Sequence, residues 1–247
     1  MVSAWATQNS LVLGQVKTEE KSNEITAIPS LLRLVEMESC IVTIDAMGCQ
    51  KEMVEQIVEP KADYCISLKG NPGILHEEVR EYFEWARGTE FKDIAYTYAE
   101  AVEKDHGRIE VRRCWSVADV EWLSNIEEWS GLRSICAVEA QRVELTTQKP
   151  SLETRYFITS LAGDAQELMP AVRKHWAVEN SLHWILDVAF REDQCQIRKD
   201  HGAENFARLR HIAVNLLNRE KTAKVGVKIK RNKAGWDSDY LLKVLTS

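Results

Sequence analysis

The pattern of hydrophobic and polar positions changes along the chain and divides it into four parts. Over residues 1–90, short apolar runs alternate with amphipathic stretches, which predicts strands and helices in turn. Over 91–162, β-branched and aromatic residues dominate, which predicts a β-rich insertion. Helical spacing returns over 163–218, and 219–247 reads as a basic tail. The pattern predicts a mixed α/β fold with one interrupted core.

The first part predicts a hairpin followed by helices that alternate with buried strands. MVSAWAT and SLVLGQVKT have the alternation of two paired strands. A helix follows, with Ser22 or Asn23 as its N-cap and Pro29 inside it. CIVTID and ADYCISLKG are short, continuous apolar runs, which are typical of buried parallel strands.

Asp45 ends the first of these buried runs and is the first candidate for chemistry. In open α/β sheets, ligands gather at the carboxyl ends of strands, so an Asp at this position is well placed to hold a metal ion. Aspartate also caps helices well, and Asp45 precedes a predicted helix. Both interpretations remain open at this point.

The stretch KHWAVENSLHWILDVAFRED, residues 174–193, is the second candidate. At about 100° per residue, His175, Glu179 and His183 share one side of a helix with several apolar residues. This count predicts that Glu179 faces the core, where a carboxylate needs a partner. The partner is either a flanking histidine or a divalent cation shared with Asp45. A zinc site on these three side chains is a further alternative, although no HExxH motif is present.

Charge and composition restrict the function classes. The net charge of −6 excludes a uniformly basic nucleic-acid binder, yet residues 219–233 hold seven Lys or Arg and one Glu. Such a run either binds phosphates or forms a solvated tail. The apolar runs fall short of the roughly 20 residues that a membrane span needs. The six cysteines form no CxxC pair, which predicts free thiols in a reducing cytoplasm.

Five stretches in this order resemble the ISAs1-type transposases, and in particular the H-repeat-associated proteins of enteric bacteria. They are KSNEITAIP, VTIDAMGCQ, ADYCISLKGNP, HGRIEVRR and HWAVENSLHWILDVAFRED, and the resemblance spans residues 1–217. It implies an RNase-H-like mixed sheet flanked by helices, with the β-rich insertion before the last core helix. It also implies a DDE triad that uses Mg²⁺ or Mn²⁺ for DNA strand cleavage and transfer. The expected partners are transposon ends and target DNA, and a homodimer is left open.

The resemblance assigns the second acidic residue of the triad to Asp45 and the third to Glu179, within HWxxEN. IS4-like relatives carry Tyr-x2-Arg-x3-Glu-x6-Lys around that Glu, and only Glu179 matches this pattern here. We expect other side chains to contact DNA, namely His175, Asn180, His183, Lys228, Lys230 and Arg231. His106, in HGRIEVRR, is a further candidate for a turn or for a DNA contact.

The first acidic residue of the triad has no counterpart, because no Asp precedes Asp45 and Met1 opens what reads as the second core strand. We therefore expect a chain that lacks its first core strand and its first catalytic Asp, and that is an inactive transposase. The alternative is a non-catalytic remnant that binds DNA or a partner protein.

Overall fold

The computed structural model describes residues 1–18, 24–70, 73–105, 107–144, 150–197 and 199–247. The predicted caps Ser22 and Asn23, and His106, lie outside these ranges. The chain forms two compact units, one made of residues 36–175 and one made of residues 1–35 together with 176–247. Across the described residues, every helix is too short or too polar to cross a bilayer.

The helices and strands confirm the mixed α/β class that the sequence predicts. The strands are β1 Val2–Ala6, β2 Leu11–Val16, β3 Ile41–Ile44, β4 Asp63–Leu68, β5 Thr97–Asp105, β6 Arg108–Val117, β7 Ser134–Glu144 and β8 Pro150–Thr159. The α-helices are α1 Glu24–Leu32, α2 Lys51–Val58, α3 Ile74–Gly88, α4 Ala165–Val178, α5 Trp184–Phe190, α6 Gly202–Arg219, α7 Val227–Trp236 and α8 Ser238–Leu245. The segment read as a basic tail therefore contains two helices.

Residues 36–175 are organised around a six-stranded mixed sheet with the order β3-β4-β8-β7-β6-β5. Strands β3 and β4 are parallel, as their continuous apolar runs predict, and the other pairs are antiparallel. Strand β8 pairs directly with β4, with Cys65 opposite Thr159. The β-rich segment thus extends the sheet that β3 and β4 begin.

Helices pack on this sheet through fully buried side chains. Val54 of α2, Phe83 of α3 and Leu168 of α4 are each 0 % exposed. Burial of one such side chain stabilises the fold by about 1.5–3 kcal/mol before entropy costs. A core cluster combines Leu168 and Val172 with three thiols from the sheet, those of Cys65, Cys114 and Cys136. Hydrogen bonds with the other two thiols, together with burial, raise the pKa of Cys136 well above its usual value.

Charged side chains form a network of ion pairs across the antiparallel strands. The Arg113 guanidinium lies 2.9 Å from a Glu100 oxygen and 3.0 Å from a Glu139 oxygen. Two further arginines, Arg112 and Arg142, share the buried carboxylate of Glu110. Opposite charges on neighbouring strands add modest stability per pair and penalise a slip in register.

In the other unit, the predicted hairpin is confirmed and rests on α6. Strands β1 and β2 pair antiparallel. The Asn215 side chain accepts a hydrogen bond from the Val12 backbone N at 2.7 Å and donates one to the Val12 carbonyl at 2.8 Å. The Asn218 amide donates to the Ser10 carbonyl. The two amides thus satisfy backbone groups of Val12 in β2 and of Ser10 just before it, as a neighbouring strand would.

Helices α6, α7 and α8 are joined by a buried polar group. Glu220, 1 % exposed, accepts hydrogen bonds from the Thr222 backbone and hydroxyl and from the Tyr240 hydroxyl. The Lys230 ammonium, also buried, donates to the carbonyls of Leu217 and Glu220 and lies 3.7 Å from the Glu220 carboxylate. The charges of Glu220 and Lys230 therefore offset each other where α6 ends.

This arrangement predicts a pH-dependent stability. The Thr222 hydrogen bond, and then that of Tyr240, lowers the pKa of Glu220 from 4.5 to about 2. A carboxyl whose pKa is lower in the folded state stabilises the fold above pH 4.5, and this contribution is lost as the pH falls toward 2. We expect the difference in unfolding free energy between wild type and E220Q, from urea melts followed by circular dichroism, to shrink across that window. A difference that is constant with pH would contradict the prediction.

Candidate active site

Asp45 directly follows β3, where the strand register ends with Ile44 opposite Ile66. Its Oδ1 accepts a hydrogen bond from the Met47 backbone N at 3.1 Å, so Asp45 caps the 3-10 turn Ala46–Gly48. The side chain is exposed. The capping role considered for Asp45 is therefore present in the structure. A single hydrogen bond to Oδ1 leaves an exposed carboxylate that is chemically suited to a hard cation.

His175, one of the predicted DNA contacts, lies against the same strand. Its Nδ1 is 3.2 Å from the Thr43 hydroxyl, and both residues belong to the unit of residues 36–175. Thr43 belongs to β3, and Asp45 follows the end of that strand two residues later. The contact places the end of α4 next to the strand that presents Asp45. No sequence pattern indicates Thr43, since its role depends on the approach of a helix that is distant in sequence.

The chain between α4 and α5, Glu179–His183, forms a π-helical turn. Such turns are rare, occur as insertions in α-helices and are frequent at functional sites. Within this turn the Glu179 carboxylate lies 3.2 Å from Nδ1 of His183. Their side chains are 57 % and 51 % exposed.

The prediction that Glu179 faces the core is wrong. It assumed a constant rotation of about 100° per residue, and the π-turn changes that rotation where Glu179 lies. Leu182 and Leu186 remain buried, whereas Glu179 and Asn180 are exposed. Glu179 therefore needs no buried partner, and its histidine partner is His183 at i+4.

Behind this turn, the core of the unit comes from the hairpin and from α6. Val12, Leu182, Leu186 and Val214 form a buried cluster. His211 of α6 is also buried, and its Nδ1 has no hydrogen-bond partner among the described residues. Burial, followed by the charge of His183, lowers the pKa of His211 from 6.5 to about 4. His211 is therefore neutral near pH 7.

The two carboxylates fit a divalent metal ion in their chemistry. Carboxylate oxygens are the ligands that Mg²⁺ and Mn²⁺ prefer, and both side chains are exposed. Each belongs to a different unit, Asp45 to residues 36–175 and Glu179 to residues 176–247. In the part of the chain that the structure describes, no group of three or more His, Cys, Asp or Glu is arranged to hold a metal ion. The zinc interpretation built on His175, Glu179 and His183 thus has no support there.

The basic residues predicted to contact DNA have different environments. Lys228 and Arg231 are exposed, and the Arg231 guanidinium lies 5.2 Å from the centre of the Phe190 ring. Lys230 is 7 % exposed and its ammonium is used at the end of α6. We therefore remove Lys230 from the set of DNA contacts.

Comparison with known proteins gives the family. The family described as "Transposase DDE domain" matches residues 1–216. The chain belongs to the DDE transposase family. This confirms the resemblance that the five sequence stretches indicated.

Relatives of this transposase-family chain include proteins of Escherichia coli. The "H repeat-associated putative transposase YhhI" is 42 % identical over 99 % of this chain and 65 % of the relative. The "Putative transposase YncI" is 41 % identical over 100 % of this chain and 63 % of the relative. "Putative protein YbfL" is 42 % identical over 99 % and 65 %. The chain thus spans slightly less than two thirds of the length of these relatives.

Proposed function

We propose that this chain carries the catalytic core of a DDE transposase and that Asp45 and Glu179 are two of its metal-binding carboxylates. The observation that carries the proposal is the family match over residues 1–216, which contain both side chains. Asp45 stands at the carboxyl end of a parallel strand, where ligands of α/β sheets gather. Glu179 opens a π-helical turn, a form frequent at functional sites.

We further propose that the sheet of residues 36–175 belongs to an RNase-H-like core. The parallel pair β3 and β4, followed by antiparallel strands and flanked by α2, α3 and α4, is compatible with such a core. In this proposal β3 has the role of presenting Asp45. The substrate is DNA, at transposon ends and at the target site.

Neighbouring residues of the chain would orient the two carboxylates for metal binding. The Met47 amide holds Oδ1 of Asp45, which fixes the direction of that carboxylate. His183 contacts Glu179 across one turn and restricts its rotamers. His175 holds α4 on β3 through Thr43. Transposases of this family generally use divalent metal ions, and Mg²⁺ or Mn²⁺ is our proposal. When bound, such ions activate a water or a 3′-hydroxyl and stabilise the leaving oxygen.

Metal-dependent cleavage of supercoiled plasmid DNA tests this proposal. The missing counterpart of the first triad Asp predicts an inactive chain, whereas metal binding by Asp45 and Glu179 predicts retained activity. Under this proposal the purified chain should convert supercoiled to nicked DNA with Mg²⁺ or Mn²⁺, and EDTA should stop the reaction. The alternative, a DNA-binding chain without catalysis, predicts binding with a steep salt dependence and no metal-dependent nicking. Absence of nicking under all metal conditions would overturn the catalytic proposal for this chain.

A further inference from the structure

The two faces of α7 differ sharply in chemistry. Its inner face holds Val227, Lys230 and Ala234, which pack near Leu217 and Tyr240. Its outer face holds four residues at i, i+3, i+4 and i+7, all exposed, namely Lys228, Arg231, Asn232 and Gly235. Residues with this spacing lie on one side of a helix. The outer face thus carries two cations, one amide and one position without a side chain.

Burial also determines which charges of residues 219–236 are exposed at the surface. Residues 219–236 contain one acid, Glu220, and that carboxylate is buried beside Lys230. Neither of these two charges reaches the surface. The remaining exposed charges are all positive, at Arg219, Lys221, Lys224, Lys228 and Arg231. This segment therefore presents only positive charges at its surface, in a chain whose net charge is −6.

We propose that the outer face of α7 docks into the major groove of duplex DNA; this rests on the proposed function, because it assigns the DNA-holding surface of that transposase. The major groove is about 12 Å wide and admits one α-helix. Lys228 and Arg231 hold phosphates, and Asn232 is the side chain that pairs with a base edge, most favourably that of adenine. A Cβ added at Gly235 would meet no atom within 4 Å, so a side chain can be placed at this point of the outer face without a clash inside the protein.

An anionic membrane surface has phosphate chemistry too, and α7 has apolar residues at one edge, Ile229 and Trp236. Membrane-surface helices bury a broad apolar face below a cationic one. The centre of the α7 outer face is instead Lys228, Asn232 and Gly235, with no apolar side chain. This composition favours DNA.

The test compares DNA binding of three proteins in EDTA, so that it is independent of catalysis. Wild type, K228Q/R231Q and a matched control, K92Q/K243Q, are titrated onto a short labelled duplex by fluorescence anisotropy at several salt concentrations. Both control lysines are exposed and lie outside α7. Loss of two phosphate contacts should reduce the slope of log K against log salt by about 2. The control should retain the wild-type slope.

A second variant separates groove insertion from simple charge attraction. G235Q adds a neutral side chain in open space and replaces a poor helix former, so the melting temperature from circular dichroism should equal or slightly exceed that of wild type. Insertion into a groove predicts that G235Q weakens DNA binding about tenfold, a loss typical of one obstructed recognition contact. Unchanged affinity of G235Q, or an unchanged slope for K228Q/R231Q, overturns the proposal. Binding to phosphatidylserine vesicles that K228Q/R231Q abolishes, with DNA binding unaffected, overturns it in favour of a membrane.

The outcomes also separate this inference from the proposed function. If the chain nicks DNA and the α7 variants bind DNA as tightly as wild type, the catalytic proposal stands and the α7 surface is rejected. Binding that depends on α7, in a chain that never nicks DNA, would support this surface and reject catalysis.

Discussion

The substitution D45N is expected to reduce metal-dependent DNA nicking about a hundredfold or more, because a neutral amide is a poor ligand for a divalent ion that has to be held by charge. The substitution preserves the local turn, since the amide oxygen can still accept from the Met47 backbone N. D45N therefore distinguishes the two interpretations of Asp45. A residue that serves only as a cap would tolerate this change.

The substitution E179Q is expected to have an effect of the same size, because it removes the charge that would hold the metal ion. It keeps the shape of the side chain, which can still contact His183. The matched controls are D119N and E167Q, which change exposed acids elsewhere in the chain. Nicking rates with Mg²⁺ and Mn²⁺ would be measured for all four variants. Activity of D45N or E179Q equal to that of its control would show that the residue is not a metal ligand.

The largest loss of stability is expected for Glu220→Ala. The substitution leaves the Lys230 ammonium buried without its carboxylate and removes the acceptor of the Tyr240 hydroxyl. Removal of one partner from a buried ion pair typically costs about 3–5 kcal/mol. Urea unfolding followed by circular dichroism measures this cost. D239A, which removes an exposed acid from α8, should change the unfolding free energy by less than about 1 kcal/mol.

A double variant tests the cause of that loss. E220L/K230M replaces both charges by apolar side chains, and such replacements of buried pairs are often close to neutral. We expect it to be more stable than E220A. A double variant as unstable as E220A would mean that the hydrogen bonds to Thr222 and Tyr240, and not the uncompensated ammonium, dominate.

Much of the fold could be predicted from the sequence because the patterns are local. The helix over Gly202–Arg219 and the hairpin over residues 2–16 follow from spacing that short stretches carry by themselves. The strands of the β-rich part were also identified. Their place in the same sheet as β4 was not, because the pairing of β8 with β4 joins positions about 95 residues apart.

The candidate site could be predicted in its residues but not in its geometry. Asp45 and Glu179 were selected by their context in sequence stretches shared with a family. The orientation of Glu179 was missed because a π-turn cannot be read from hydrophobic spacing. The burial of Lys230 was missed for a similar reason. In the sequence it is one lysine of a basic run, and only the folded structure places its ammonium beside the buried Glu220 carboxylate.

The Asn215 side chain that satisfies both backbone groups of Val12 lies 203 positions further along the chain. A ribosome adds about 5–20 residues each second, so the hairpin would wait roughly 10–40 s for that partner. An isolated two-stranded hairpin is marginally stable in water. During synthesis, therefore, the Val12 backbone groups emerge well before the side chain that satisfies them, and the hairpin gains this support only once α6 has been made.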